Sequence, residues 1–595
     1  MPKKTYPIKY TSRDFESIKE DLINYIKRYY PDTFRDFSEA SFGSLMVDTV
    51  SYVGDVLSFY LDYQANESFL QTAVEYNNIV KLGKQAGYKF DGNPSAYGAA
   101  AFYLSVPSNA AGLGPDPLYL PVLKQNSTFT ATNGNVYLLS ENVDFANPNN
   151  EVRVSRNDVV TGAPTFYAIK AYGQVVSGKL IQETHTVGTY REFLRVTMNA
   201  LDVADILSVV DLEGHEYYET EYLSQNVIYK TVTNIESTQA TALMKPFIAA
   251  RRFITERIGR KMTLQFGAAS DISMPEDSIA DPASVVVERH GREYITDTSF
   301  DPATLVSNDK LGVSPSNTTL YIKARVNNTR NANCQVGRLN RVTTATFEFP
   351  DNASITAGTA QQVRASLEID NEKPITGDVS LPTSEELKIR VYDTFASQNR
   401  AVTQADYESL VYQMPSKFGA IKRVNIVRDD SSFKRNLNLY TISENSDGTL
   451  ATTNAVVKEN IKTWLQKNRM LNDTVDILDA KIINLAIDFE AIGALDKSRF
   501  DILVAAKKAL KEHFTNYPDI GEAFYITDIY AQLKMVDGLL DVSSVKVYQK
   551  VGGNYSNIRF DLDTATSADG RYIEMPKNVI YEIKFLDTDI SGVIK

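Results

Sequence analysis

The chain has 595 residues, 43% of them hydrophobic and 23% charged, with a formal net charge of −12. That composition is ordinary for globular protein, the length calls for roughly three to five domains, and the acidic balance disfavours a general nucleic-acid binder. One cysteine, Cys334, excludes an internal disulfide and fits assembly in a reducing cytosol.

The N-terminus, Met1 to Tyr6, has no apolar core of signal-peptide type. No run of about 18 apolar residues offers a membrane span. Residues 1–92 read as helical. Thr11 or Ser12 caps a first helix, with Ile18, Leu22, Ile23 and Ile26 as its apolar face. Phe34, Phe37 and Phe42 mark an aromatic linker. A long helix follows from about Ser44 to Asn66. Asp48, Ser51, Asp55, Ser58 and Asp62 form a polar stripe on it, and Met46, Val50, Val53, Leu57, Tyr60 and Leu61 cover other sides. Such a heptad-like rhythm seats a helix against another chain; the alternative is packing within its own domain with the aspartates solvated. A third helix, about Glu75 to Ala86, ends at Gly87, which suits a left-handed cap.

Residues 93–240 and 241–370 read as two β-rich domains, in which short strand-like runs alternate with Gly, Pro, Asn and Asp. Asn133-Gly134 is the signal of a tight hairpin. Residues 371–595 read as a mixed α+β domain that can divide near 495. Thr383 with Glu386, and Thr403 with Asp406, have capping-box spacing and start two helices joined by a short corner. Leu387, Val391 and Phe395 form the apolar stripe of the first; Tyr407, Leu410, Val411 and Met414 form that of the second, which Pro415 ends. Ile483, Leu485, Ile487 and Phe489 alternate with Asn484, Ala486 and Asp488 as a strand does. Ser498 with Asp501 caps a further helix with Phe500, Leu503, Val504, Leu510 and Phe514 apolar. The fold class expected is therefore multidomain α+β: helical N-terminal segment, central β-rich domains, C-terminal mixed domain.

The search for chemistry returns no catalytic, cofactor or metal site. His185, His215, His290 and His513 are scattered, and His215-Glu216 lacks the second histidine of a zinc-protease motif. Gly173 to Lys179 reads GQVVSGK, but Leu180 stands where a phosphate loop needs Ser or Thr. Asp561, Asp563 and Asp569-Gly570 lack EF-hand spacing. Cys334 has no histidine near it in sequence and reads as an inert thiol.

Three segments carry a family resemblance. Asn371, Pro374, Gly377, Glu385-Glu386, Arg400-Ala401-Val402-Thr403 and Asp406-Tyr407 resemble the baseplate J family of contractile-tailed phages. Glu67 to Ala73, reading ESFLQTA, and Gly87-Tyr88 resemble its N-terminal helices. Leu311-Gly312-Val313 and Pro315 to Thr318, within Asp301 to Val326, resemble the T-even-type baseplate wedge subunits. The resemblance implies a structural, non-enzymatic part of the virion tail baseplate, assembled in the host cytoplasm, with no cofactor. It implies two copies per wedge, as a homodimer, joined between wedges into an inner ring around the tail tube that couples baseplate rearrangement to sheath contraction. The partners implied are a second copy, other wedge proteins and the sheath-initiating baseplate protein; nucleic acid and membrane are not among them. Val53, Leu57, Tyr60 and Leu61 are the candidate residues for a helical bundle with partner chains, and Thr383, Glu386, Arg400, Thr403, Asp406 and Tyr407 are the structural motif. Two alternatives remain: a simpler baseplate J relative with one copy per wedge, and a tail-associated glycan-binding or glycan-cleaving protein built on the tyrosine-rich β domains.

Overall fold

A computed structural model describes residues 14–31, 41–88, 90, 92–109, 113–225, 227–233, 242–270, 311–327, 331–351, 353–398, 400–429, 436–466 and 468–595. The architecture is multidomain α+β: helices at the N-terminus, antiparallel sheets in the centre, and a mixed C-terminal part. The chain divides into two compact units. The small one comprises residues 1–90 and 382–398, and the large one comprises 91–381 and 399–595.

The small unit is helical. Helix α1 spans Phe15–Tyr29, α2 spans Phe42–Glu67 and α3 spans Tyr76–Gln85, and a return helix, Ser384–Ser397, joins them from far along the sequence. Its core is small: Ala73, Ile79, Tyr88, Leu387 and Val391. Gly83 lets the return helix approach α3, since an added Cβ would stand 2.9 Å from Val391. Asp14, not Thr11 or Ser12, caps α1, its carboxylate accepting the Ser17 amide at 3.2 Å. Thr11 and Ser12 lie outside the described residues, as do Phe34, Phe37, His290 and Asp301 to Lys310. The end of α3 follows the sequence reading. Gly87 takes φ +92°, its amide reaches the Lys84 carbonyl, and the Tyr88 amide reaches that of Gly83. These are the two bonds of a Schellman cap.

The large unit contains two nearly closed antiparallel-rich sheets. In the first, the strand order is Leu339–Thr344, Thr128–Ala131, Val136–Leu139, Pro164–Ser177, Tyr97–Pro107 and Glu368–Asp370, with Glu151–Asn157 pairing Pro164–Ser177. Its core includes Phe102, Phe129, Tyr137, Ile169 and the sole cysteine. In the second, the order is Lys179–Thr186, Thr319–Val326, Val203–Val210, Glu216–Glu219, Arg252–Ile258, Lys261–Phe266 and Arg195–Leu201. The strands of the second sheet all lie between those of the first in sequence, so a cut near residue 240 would fall inside the second sheet.

Gly173 to Lys179 is not a phosphate loop. It runs strand, kink, strand, with Gly178 at φ +132°, and its amides serve the sheet: Ser177 donates to the Ala96 carbonyl and Gly178 to that of Val136. The alternation at residues 483–489 forms the strand Lys481–Gly493, which is central in a sheet with Leu539–Lys550, Val579–Glu582 and Ile590–Ile594. The helix Arg499–His513 buries Ile502, Ala506 and Leu510. Phe500 and Val504, expected inside, face solvent, and the Ser498 side chain makes no cap bond. Position 502 reaches the sheet, and Phe500 and Val504 sit on the other side of the same turn.

Candidate assembly interface

The elements of the small unit put an apolar surface outward. In α2, Ser41 caps the first turn by accepting the Ser44 amide. The residues that α2 buries are Ser44, Val47 and Ser51. Lys19 of α1 meets Asp48 at 2.7 Å, and Gly54 would place a Cβ 3.3 Å from Ile18. The polar stripe read from the sequence is thus the side toward α1, because serine and glycine let two helices approach closely. Those small side chains are why neither a solvated stripe nor an apolar seam describes the α1 contact.

The opposite side is apolar and uncovered by any described element. Val53 is 50% exposed, Leu57 56%, Tyr60 62% and Leu61 71%. Met46, Val50, Val53, Leu57 and Tyr60 recur at spacings of four and three, the rhythm of a helix–helix seam. A second stripe runs beside it: Leu45, Tyr52 and Phe59 at intervals of seven, then Tyr63, all exposed. Full burial of one such side chain is worth about 1.5–3 kcal/mol.

The base of this surface is braced. Glu67, the last residue of α2, accepts the Val74 amide at 2.8 Å and the Asn78 side-chain amide at 2.9 Å. Those hydrogen bonds, Asn78 first, hold its carboxyl below the usual range. The run Glu67 to Ala73 is therefore a cap-and-turn device ordering the path from α2 to α3. Lys388 of the return helix reaches the Gln71 carbonyl at 3.3 Å.

The motif residues of the C-terminal resemblance prove to be joints of two kinds. Thr383 accepts the Glu386 amide at 3.3 Å, and the Glu386 carboxylate binds Arg390 at 2.7 Å. The reciprocal box forms only at the second helix, Gln404–Tyr412. There Thr403 accepts the Asp406 amide, and Asp406 accepts the Thr403 amide at 2.8 Å. Burial would raise the Asp406 carboxyl, but hydrogen bonds from Thr403 and the Val402 amide, with the exposed Arg400 charge as the least of the causes, hold it below its usual range; Ala401 is fully buried and donates to the Asn468 carbonyl. Tyr407 is buried and donates to Asp473 at 2.9 Å; burial raises its hydroxyl to about 12. The two helices belong to different compact units. Phe395, expected inside, is exposed together with Ile389 and Tyr392.

Asn371 has the most complete set of bonds. Fully buried, it accepts the Arg338 and Leu339 amides at 3.1 and 2.9 Å and donates to the Gln335 and Lys373 carbonyls. It thereby ties the strand Glu368–Asp370 to Leu339–Thr344 at the two ends of the first sheet. Gly377 holds φ +126°, and a Cβ there would stand 2.9 Å from the Ser95 carbonyl. Gly312, in the third resembling segment, holds φ +90°, and Gly267 lies so close that any side chain on it would collide with the Gly312 carbonyl. The glycines of these motifs serve backbone packing.

Asp211, Glu213 and His215 come together in a way the sequence reading missed. Asp211 Oδ1 accepts the Glu213 and His215 amides, and Oδ2 lies 3.1 Å from His215 Nδ1, so the carboxylate is committed to a turn. Asp561 likewise caps the short helix Leu562–Ala565. Cys334 is buried, and burial pushes its thiol up to about 11.

Residues 14–85 match the family model described as "Bacteriophage baseplate protein, N-terminal domain". No curated protein matches the chain. Among solved structures, one similar to it is titled "Cryo-EM structure of the anti-feeding prophage (AFP) baseplate, 6-fold symmetrised". That likeness covers 97% of this chain and 99% of that one at 10% identity, with a TM-score of 0.26, a score that does not establish a common fold. The region matched by the family model includes α1, α2 and α3 with the outward apolar surface, and it supports a structural subunit of a phage baseplate.

Proposed function

We propose that this chain is a structural subunit of the baseplate wedge in a contractile tail, working with no catalytic step. The observation that carries this reading is the outward apolar surface of α2 within the segment that matches a baseplate N-terminal domain. Each of its two stripes seats one helix, so α2 has room for two partner helices beside α1. Val53, Leu57, Tyr60 and Leu61 are the proposed bundle contacts. The partners are a second copy of the chain, other wedge proteins and the protein that starts the sheath. In this reading the assembled subunits form an inner ring around the tail tube and transmit baseplate rearrangement to the sheath.

The test is the double variant Val53→Asp/Leu57→Asp, co-expressed with the other wedge proteins of the same phage. Wedge assembly, followed by sedimentation, is expected to stop while the large unit keeps its folded circular-dichroism spectrum. Normal assembly refutes the assignment of these residues. Light scattering across a concentration series separates the two-copy wedge subunit, expected to dimerise, from the one-copy relative, expected to stay monomeric until a partner is added.

A further inference from the structure

The large unit has three joints between its sheets, and they are not built alike. The two C-terminal sheets are that of Arg423–Arg428 with Asn436–Glu444 and that of Lys481–Gly493. They meet across a buried apolar cluster of Ile442, Leu450, Ala480, Ile520 and Ile580. The first sheet meets the C-terminal part through Tyr97, which packs on the core of Tyr407, Val457 and Ile461. Val457 also stands 3.4 Å from where a Cβ on Gly377 would lie. Both joints bury apolar side chains, and close packing of that kind holds two bodies in one arrangement.

The second sheet is joined differently. It is an insertion, with all its strands within residues 179–326. The chain enters after Ser177 and leaves after Val326, and Lys179 pairs with Val326, so the two crossings lie side by side. Its core, around Met198, Phe253, Phe266 and Ile322, shares no residue with that of the first sheet. Among the described residues no apolar cluster spans this joint, and what crosses it is a set of polar side chains. Arg325, 2% exposed, donates to the Ser95 hydroxyl at 2.8 Å and to the Ser177 carbonyl at 2.7 Å. The Asn327 side chain donates to the Pro94 carbonyl at 2.8 Å. Lys417, in the short turn Ser416–Phe418, lies 3.3 Å from both Asp205 and Glu219 of the second sheet.

Interfaces within one chain permit domain motion unless they are large and apolar, so of the three joints this is the one free to turn. Gly178 supplies the backbone freedom. It holds φ +132°, and a Cβ there would stand 2.8 Å from Arg325 Cγ. A few residues at the ends of elements are where hinges lie. The polar ties then divide in two. Arg325 is buried beside the crossing, and parting it from its acceptors would strand a buried charge. Lys417, Asp205 and Glu219 are 29%, 25% and 32% exposed at their side chains. Water receives each of them when they part, and salt screens their attraction.

We infer that the second sheet is a hinged body, turning as one piece about Gly178 and Asn327, with Lys417 as the catch that holds it in the arrangement seen. This holds whether or not the chain serves in a baseplate.

The test uses the full chain with spin labels on cysteines placed at Asn340 and Leu212, exposed positions of the first and second sheets. The distance distribution between them is read by double electron–electron resonance. A control pair at Leu471 and Leu495, both exposed, spans the apolar joint of the two C-terminal sheets. Lys417→Met keeps the side-chain stem and removes the charge. It is expected to broaden the first distribution about twofold or more and to leave the control pair unchanged. Salt at about 1 M is expected to move the parent in the same direction and to leave Lys417→Met as it is. If Lys417→Met does not fold, the isosteric pair Asp205→Asn/Glu219→Gln carries the same expectation. One narrow distribution, unchanged by variant or salt, overturns the proposal, since the joint is then rigid. So does equal broadening of the control pair, which means loosened packing throughout the large unit. A distribution already broad in the parent and indifferent to Lys417 overturns it too, because nothing is then caught.

Discussion

The two units treat exposed pairing surface in opposite ways. The large unit closes three strand edges: Asn371 in the first sheet, Glu183 in the second through the Asn199 and Ala200 amides, and the side chains of the helix Gln404–Tyr412 on the strand Arg423–Arg428. The small unit buries five residues in its core and leaves most of the apolar side of α2 in solvent. The large unit thus covers much of its pairing surface with its own side chains, whereas the small one leaves an apolar helix side exposed. A residue's apolar character alone does not tell which case applies; its neighbours do.

The comparison can be broken most forcefully at Asn371. Asn371→Leu removes four hydrogen bonds and leaves the Arg338 and Leu339 amides buried without acceptors. The expected loss is about 3–5 kcal/mol in urea unfolding of the large unit. In the small unit, Leu387→Ala is expected to cost about 2–4 kcal/mol, since Leu387 is fully buried. Phe395→Ala on the same helix, at an exposed position, should change stability by about 0.5 kcal/mol or less. Equal effects of these two would mean that the outward face of that helix is covered within the chain.

A pH measurement sharpens the picture of the large unit. Burial raises Asp378 and Glu582 to about 7 each, against partial relief from hydrogen bonds with the Ala332 and Leu450 amides. Glu444 adds to the rise at Asp378; at Glu582 Lys584 and Asn484 oppose it and Asp447 adds to it. In the folded state both groups hold their protons to higher pH than in the unfolded chain. Between the ordinary carboxyl range and pH 7 the native state thus binds more protons, and each group's contribution to stability falls as pH rises through that window. Glu582→Gln is expected to flatten this slope, gaining on the order of 2–3 kcal/mol relative to the parent on going from pH 5 to pH 8. A pH-independent difference between the two proteins would place the proton elsewhere. Thr403→Ala is expected to cost about 1 kcal/mol, from loss of one side of the capping box.

What was legible in the sequence was mostly local. The Gly87 cap, the Asn133-Gly134 hairpin and the Thr403 box depend on residues within a few positions of each other, and the structure has all three. The alternation at residues 483–489 marked a strand for the same reason. Sheet closure was not legible, because Glu183 and Asn371 act on strands joined through long-range pairing. Helix faces were legible only in part. The α2 sequence states that one side is apolar, but Ser44, Ser51 and Gly54 decide that α1 packs on the other. Phe395 and Phe500 looked like core because an exposed aromatic on a helix has the same spacing as a buried one.

Cys334 has a practical consequence. The chain has one thiol, and that thiol is buried and held protonated well above neutral pH. Maleimide and iodoacetamide reagents react with accessible thiolate. A cysteine introduced at Leu57 or at Leu212 would therefore be the only reactive one, with no native residue to remove first. Spin labels or fluorophores placed singly at those positions would report on the α2 surface and the second sheet separately, in an otherwise unaltered protein.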